Sequence, residues 1–319
     1  MPEQVSEAAQ VHATQAGKRF DQVAAELFPD YSRARLQSWI RSGELRLNGR
    51  QHRPRDRVEP GAEITLNATL EEVVSWSPEP MALDVVHEDA DVIVINKPVG
   101  LVVHPAAGNR DGTLVNALLH HYPDLAELPR AGIVHRLDKD TSGLIMVARS
   151  LRAHTRLVDQ LQARTVEREY LAICFGAMTG GGTVDAPIGR HPTTRTRMAV
   201  VSNGGKPAVT HFRIEERFAH HTLLAIRLET GRTHQIRVHM AHRRHALVGD
   251  AVYAGRLRLP PNPAPELKDV LRRFRRQALH ARKLGFDHPG TGKQMTWEAA
   301  LPEDMQRLRD CLQRYDAPA

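Results

Sequence analysis

Ala131-Gly132-Ile133-Val134-His135-Arg136-Leu137-Asp138-Lys139-Asp140-Thr141-Ser142-Gly143-Leu144-Ile145-Met146-Val147-Ala148-Arg149 is the stretch on which the reading of the chain turns. Two apolar runs, Ile133–Val134 and Leu144–Ala148, flank a charge-dense centre. Runs that short, rich in Val and Ile, predict buried strand ends. Gly132 and Gly143 bracket the centre and permit sharp turns. A polar loop held between apolar anchors is a common seat for reacting groups. Asp138 stands between Arg136 and Lys139, and cations that close favour the ionised form of a carboxylate. Such a carboxylate can act as a nucleophile toward a sugar carbon or an electron-poor ring. A surface turn whose charges cancel explains the same residues equally well.

Working outward, 319 residues suffice for two domains, one with a sizeable core. Lys and Arg total 44 against 37 acids, a net charge of +7 and a pI near 9.7. That excess points to a polyanionic partner, nucleic acid before membrane. The two cysteines, Cys174 and Cys311, form no metal pattern or disulfide framework, which fits a reducing cytoplasm. Residues 1–16 lack a hydrophobic signal core and are expected to be a tail. No apolar run approaches membrane-spanning length. Nothing in the pattern demands more than a monomer.

Residues 17–67 read as a small separate module. Phe20, Val23, Ala24, Leu27 and Phe28 recur at helical spacing, and Pro29 ends that helix. Ser32 is the expected N-cap of a second helix through Arg41, and Gly43 its stop. Asn48-Gly49 signals a hairpin. From 33 to 57 run eight arginines (Arg33, Arg35, Arg41, Arg46, Arg50, Arg53, Arg55 and Arg57) against Glu44 and Asp56. A solvated face usually balances its signs, so this imbalance favours phosphate contact.

Residues 68–83, with Ser75, Ser77, Pro78 and Pro80, read as a linker to a domain over 84–319. There, strands are predicted at 91–96, 169–175, 208–217, 222–229, 278–286 and 294–298. Helices are predicted at 114–121, 151–161, from a Thr233 cap through Met240, and from Pro302. Pro260, Pro261, Pro263 and Pro265 mark an irregular loop. The fold class is α/β (α+β) with a largely antiparallel mixed sheet, rather than a doubly wound parallel one.

His135-Arg136-Leu137-Asp138-Lys139-Asp140-Thr141-Ser142-Gly143 resembles the signature of RluA/RluD-type RNA pseudouridine synthases, and the likeness extends over nearly the whole chain. The element order of residues 17–67 resembles the αL-type RNA-binding domain of small-subunit ribosomal protein four, which commonly precedes this catalytic domain. The resemblance implies that uridines of large-subunit ribosomal RNA become pseudouridine, with rRNA or the assembling subunit as partner. This isomerisation adds and loses nothing, so no cofactor is required. By the same resemblance Asp138 is the nucleophile, acting at ring C6 or sugar C1′. Arg136 fills the space left by the extruded base, beside His135 and Leu137 in the same motif. Within Val166–Ala172, Tyr170 stacks on the uracil and helps remove the C5 proton. Within Thr230–His239, Arg237 pairs with the aspartate and Ile236 packs against the base. Without the resemblance, Tyr170 reads as a core strand tyrosine and Arg237 as a helix-surface charge beside Arg243 and Arg244. Gly249–Tyr253 and Gln277–Ala281 resemble structural segments of the family.

Rival readings attach to other residues. His239, His242 and His245 sit three apart, but no Cys or Glu nearby completes a first shell, so packing or RNA-facing roles are expected and no metal. Asp138 and Asp140 could form the carboxylate pair of a nucleoside or glycoside hydrolase. The basic module alone would serve a non-catalytic RNA-binding or assembly factor. Lys268, Arg272, Arg273, Arg275, Arg276, Arg282 and Lys283 widen the RNA footprint or pair with distant acids.

Overall fold

The structure is a computed structural model that describes residues 3–31, 33–70, 76–105, 109–194 and 196–318. The chain divides into two compact units, 1–75 and 76–319.

In the first unit, helices α1 (Phe20–Leu27) and α2 (Arg33–Ser42) cover a three-stranded sheet of order β1-β3-β2. Its strands are β1 (Glu3–Gln10), β2 (Leu45–Leu47) and β3 (Glu63–Leu70). Phe20, Val23, Ala24 and Phe28 meet Leu36, Trp39 and Ile40 over Leu45, Ile64 and Leu66. The periodic apolar faces of both helices thus form one small core. Asn48 and Gly49 both take positive φ, and Leu47 and Arg50 exchange backbone hydrogen bonds, the hairpin that the Asn-Gly pair predicts. The expected N-cap Ser32 lies outside the described residues.

Two expectations need correction. Residues 3–10 are not a tail; they pair antiparallel with all of β3 from Glu63 to Leu70. The strand lacks a strong apolar run because it is an edge strand with one solvated face. The span 68–83 is not all linker: β3 continues to Leu70, and Trp76 and Leu83 pack on the second unit's core.

The second unit is built on a nine-stranded sheet. In chain order its strands are β4 (Val85–Glu88), β5 (Val92–Lys97), β6 (Ser142–Ala148), β7 (Glu167–Phe175) and β8 (Gly182–Asp185). A separate two-stranded ribbon, β9 (Ile188–Arg190) and β10 (Met198–Val200), follows. The sheet resumes with β11 (Val209–Arg217), β12 (His221–Leu228), β13 (Leu279–Asp287) and β14 (Gln294–Glu298). The spatial order is β4-β5-β6-β13-β7-β12-β11-β8, with β14 beside β13. Every pairing is antiparallel except β6 with β13. Ile133 and Val134 precede the loop as irregular chain, tied to β6 by one bridge from Ile133 to Val147.

Alternation sends successive side chains to opposite faces. Ile145, Val147, Tyr170, Ala172, Ile226, Leu279 and Ala281 join one core, under α3 (Leu114–His121) and α5 (Gln235–His242). Leu144, Met146, Leu284 and Phe286 face α4 (Leu151–Ala163) on the other side. There Leu171, Ile173, Leu223 and Ala225 meet α6 (Pro265–Arg273) and α7 (Glu303–Tyr315). Both faces being covered, β6 is buried along its whole length and reads as an unbroken apolar run. The proline-rich stretch expected as a loop ends in α6, with Pro265 in its first turn, where its missing N–H does no harm. The α5 cap is His234, in the left-handed conformation, rather than Thr233.

Gly143 makes the sheet possible where β6 meets β13. Its φ is +110°, and a Cβ there would lie 2.2 Å from the Ala281 carbonyl oxygen. Gly143→Ala is expected to lower stability by about 3 kcal/mol or more, from strain and overlap together. Urea unfolding measures this, and a loss below about 1 kcal/mol would contradict so close an approach.

Candidate active site

The quoted loop, β7 and α5 converge on a cleft of about 610 Å³. Each contributes a side chain that the sequence singles out. Asp138 lies on the loop, Tyr170 on β7, and Ile236 and Arg237 on the first turn of α5; His135, Arg136 and Leu137 complete the same wall. Asp140 does not line this cleft, so the two carboxylates of the hydrolase reading are not brought to one cavity.

Arg237 is the junction. Its Nη1 donates to Asp138 Oδ2 at 3.0 Å. Its Nε and Nη2 donate to Asp250 Oδ2 at 2.7 Å and Oδ1 at 2.9 Å, a bidentate fork. The side chains of Arg237, Asp138 and Asp250 are 7%, 16% and 0% exposed, so the group is sheltered while Asp138 keeps an opening. Burial alone would lower the Arg237 pKa, but the bonds to Asp250 and the charges of Asp250 and Asp138 raise it above its usual value. Arg237 is therefore not a helix-surface charge.

Asp250 is the residue that sequence reasoning missed. It lies in the segment Gly249–Tyr253, which reads as structural, and no local pattern links it to Arg237. Its Oδ1 also accepts the N–H groups of Val252 and Tyr253, which fixes the carboxylate in place.

Further residues complete the wall. His234 Nδ1 lies 2.7 Å from the Tyr253 hydroxyl, which itself accepts the Met198 N–H. The other ring nitrogen, Nε2, lies 3.9 Å from Asp138 Oδ1. Burial lowers the His234 pKa, partly offset by Asp138. Tyr170 is 7% exposed, and its hydroxyl has no hydrogen-bond partner among the described residues. A core tyrosine normally satisfies that group. Burial raises the Tyr170 pKa, Arg168 opposes this and Asp138 adds to it. Arg168 is buried and lines the cleft, and its Nε has no partner among the described residues.

The loop after Asp138 is fastened by its backbone. Thr141 N–H donates to the Asp138 carbonyl, and Gly100 N–H to the Lys139 carbonyl. Lys97 Nζ, wholly buried, donates to the carbonyls of Pro98, Leu101 and Lys139 at 2.8, 2.9 and 3.0 Å. Burial pushes the Lys97 pKa down to about 8 against the pull of Asp140 and Asp138. Arg276, clamped by Asp304, donates to the Asp140 carbonyl, and Gln277 Nε2 to Thr141 Oγ1.

The remaining candidates sort by their contacts. Arg33 joins Arg19 and Gln37 around the buried Asp21, so it serves the first unit's own fold. Arg46 bonds the Gly43 carbonyl, Arg41 bonds Gln37, and Arg35 lies over Trp39. Arg50 and Arg53 are exposed. In the C-terminal basic cluster, Arg273, Arg276, Arg282 and Lys283 pair with Asp269, Asp304, Glu169 and Glu167. Lys268, Arg272 and Arg275 have no such acid partner among the described residues. His239 bonds Thr210 and the Ala186 carbonyl, and His245 bonds the Phe175 carbonyl. Among the described residues no group of His, Cys, Asp or Glu could hold a metal ion. No described helix is long and apolar enough to cross a membrane.

His135 gives the site a measurable pH signature. Burial, with the Arg168 charge, pushes its pKa down to about 3, and its Nε2 accepts the Met146 N–H. The unfolded chain takes up this proton near pH 6.5, the folded chain only near pH 3. Between those values the unfolded state binds more protons, so stability falls as pH falls, by up to about 1.4 kcal/mol per unit from this group. His135→Gln, which can still accept the Met146 N–H, should flatten that slope in urea titrations. An unchanged slope would mean that His135 protonates normally in the fold.

Three comparisons bear on this geometry. The model of the RNA pseudouridylate synthase family matches residues 91–242, and that of the S4 domain matches residues 18–64. "Ribosomal large subunit pseudouridine synthase D" of Pseudomonas aeruginosa is 55% identical over 314 residues, covering 98% of each chain. The protein of the same name from Yersinia pestis is 55% identical over 313 residues, 98% of this chain and 96% of the other. Among solved structures, human RNA pseudouridylate synthase domain containing 4 aligns with a TM-score of 0.57 and 25% identity, over 74% of this chain and 94% of that one. With relatives so similar along its whole length, and the sheet, cleft and S4 module in place, the chain belongs to the RNA pseudouridylate synthase family.

Proposed function

We propose that this enzyme converts specific uridines of large-subunit ribosomal RNA to pseudouridine, with Asp138 as the nucleophile toward a base drawn into the cleft. The observation that carries the reading is the 3.0 Å contact between Arg237 and Asp138 inside a cleft walled by Tyr170 and Ile236. The substrate class follows the names of the relatives at 55% identity.

In the reaction the N1–C1′ bond breaks, the uracil turns, and C5 bonds to C1′. The C5 proton leaves and N1 gains one, so atoms balance without an added reactant. Asp138 forms a transient covalent bond to the uridine, at C6 or at C1′. Arg237, held from behind by Asp250, aims the carboxylate and offsets its charge. The free Tyr170 hydroxyl and its ring suit stacking on the uracil and handling the C5 proton. Arg136, exposed on the cleft wall, occupies the gap left in the RNA. Ile236 and Leu137 give the base an apolar seat and exclude water. The S4 domain docks RNA through Arg35, Arg41, Arg46, Arg50 and Arg53, with Arg33 bracing the helix that carries two of them.

Asp138→Asn should lower pseudouridine formation on an rRNA transcript at least about a thousandfold with RNA affinity unchanged. Asp250→Ala should lower kcat about 10- to 100-fold, equivalent to about 1.4–2.8 kcal/mol, because Arg237 loses its anchor. Release of tritium from RNA labelled at uridine C5 reads both. An active Asp138→Asn protein would overturn the mechanism. For the substrate, pseudouridine mapping of large-subunit rRNA from a strain lacking the gene should show uridines left unmodified; an unchanged map would overturn that assignment.

A further inference from the structure

A second cavity, of about 380 Å³, shares no lining residue with the catalytic cleft. That volume is at the lower end of the range for pockets that enclose small molecules, about 300–1,000 Å³. Its walls come from Phe175 at the end of β7, Leu247 and Val248 after α5, and Leu271 and Phe274 of α6 and the residue beyond. Leu257, 52% exposed, stands at its edge. Apolar walls beneath a rim of a few polar groups are the usual make-up of a ligand pocket.

Two observations specify the occupant. Arg256, Arg258, Arg272 and Arg275 line the mouth, all exposed, and none has an acidic partner among the described residues. Neighbouring Arg273, by contrast, pairs with Asp269. Arg258 lies over the Phe175 ring, 6.0 Å from its centroid. The cavity's one carboxylate, Asp250, is already matched by Arg237, so the mouth carries an unopposed positive charge. Second, the wholly buried ring of His221 borders the cavity, and its Nε2 has no hydrogen-bond partner among the described residues. Its Nδ1 is 2.7 Å from Asp316 Oδ2 and must donate there, so Nε2 is left as an enclosed polar atom behind the cavity wall. Buried polar atoms of that kind normally find a partner.

We propose that this cavity is a second nucleotide site. It takes one unstacked RNA base between its apolar walls, while the four arginines hold the flanking phosphates. Aromatic walls with an arginine rim are the chemistry by which proteins hold splayed bases. Residues 243–258 run directly on from α5, so the wall of this site and the helix carrying Arg237 are one continuous stretch. The proposal rests on RNA as the substrate.

The test uses the full chain and an rRNA hairpin in which 4-thiouridine replaces uridines one at a time. At one position outside the catalytic target, photocrosslinks should map to residues 254–258 or 271–275. Arg256→Ser/Arg272→Ser/Arg275→Ser should raise KM for the hairpin about tenfold with kcat unchanged. It should also reduce the salt dependence of binding by about two ions, at about 0.7 per phosphate contact with single-stranded RNA. Leu257→Glu should abolish the crosslink while circular dichroism shows an intact fold. Unchanged KM and salt slope with no crosslink would overturn the proposal, as would a lower salt slope without a crosslink, which would mean phosphate contact only. Binding of uridine or adenosine monophosphate in the cavity, with RNA affinity indifferent to the substitutions, would overturn it in favour of a small-molecule site. Crosslinking reads binding alone, so it tests the cavity even with an RNA that wild-type enzyme leaves unmodified, the result that would instead sink the substrate reading.

Discussion

One guanidinium between two carboxylates sets the geometry of this molecule's centre. Arg237 gives its fork to Asp250 and its remaining nitrogen to Asp138. A buried ion pair is a poor source of stability, because desolvation consumes most of the attraction. Its worth here is direction. The Asp250 side is fully enclosed and doubly bonded, so the arginine cannot follow Asp138 if that side chain moves. The partly open carboxylate is thereby aimed into the cleft. Rigidity on one side and exposure on the other is the arrangement a reacting group needs.

The rest of the fold serves that placement. Asp138 arrives on a loop gripped by Lys97, Gly100, Arg276 and Gln277, all four of which hold carbonyls or a hydroxyl rather than charges. Tyr170 and Ala281 are register partners on adjacent strands, and Gly143 lets β6 approach closely enough to pair with β13. Loop, tyrosine strand and arginine helix thus meet on one face of a sheet whose other face is closed by three helices. The parallel β6–β13 pair joins residues 138 positions apart, so the site exists only once the whole sheet has formed.

Much of this was legible in the sequence, and the exceptions have physical causes. The long periodic segment α4 declares itself because one face is buried, and β12 shows in the alternation of Leu224, Ile226 and Leu228 although both of its faces are covered. Motif resemblance singles out Asp138, Tyr170 and Arg237, which the fold brings to one cleft, whereas local pattern alone leaves Tyr170 and Arg237 as a core residue and a surface charge. Asp250 escaped because its partner is 13 residues away across a turn, and nothing local marks a carboxylate as buried. Strand β1 escaped because an edge strand with one wet face carries a weak signal. The basic C-terminal cluster misled in part: Arg276, Arg282 and Lys283 are matched by acids distant in sequence. Charge runs show sign, not pairing.

The most direct test is a crystal structure of the Asp138→Asn protein bound to an rRNA hairpin containing a target uridine. The account predicts a uracil swung out of the RNA into the cleft, in contact with residue 138 and the Tyr170 ring, with Arg237 still forked onto Asp250. A target uridine stacked in the RNA, or seated away from residue 138 with the Arg237–Asp250 pair broken, would contradict it.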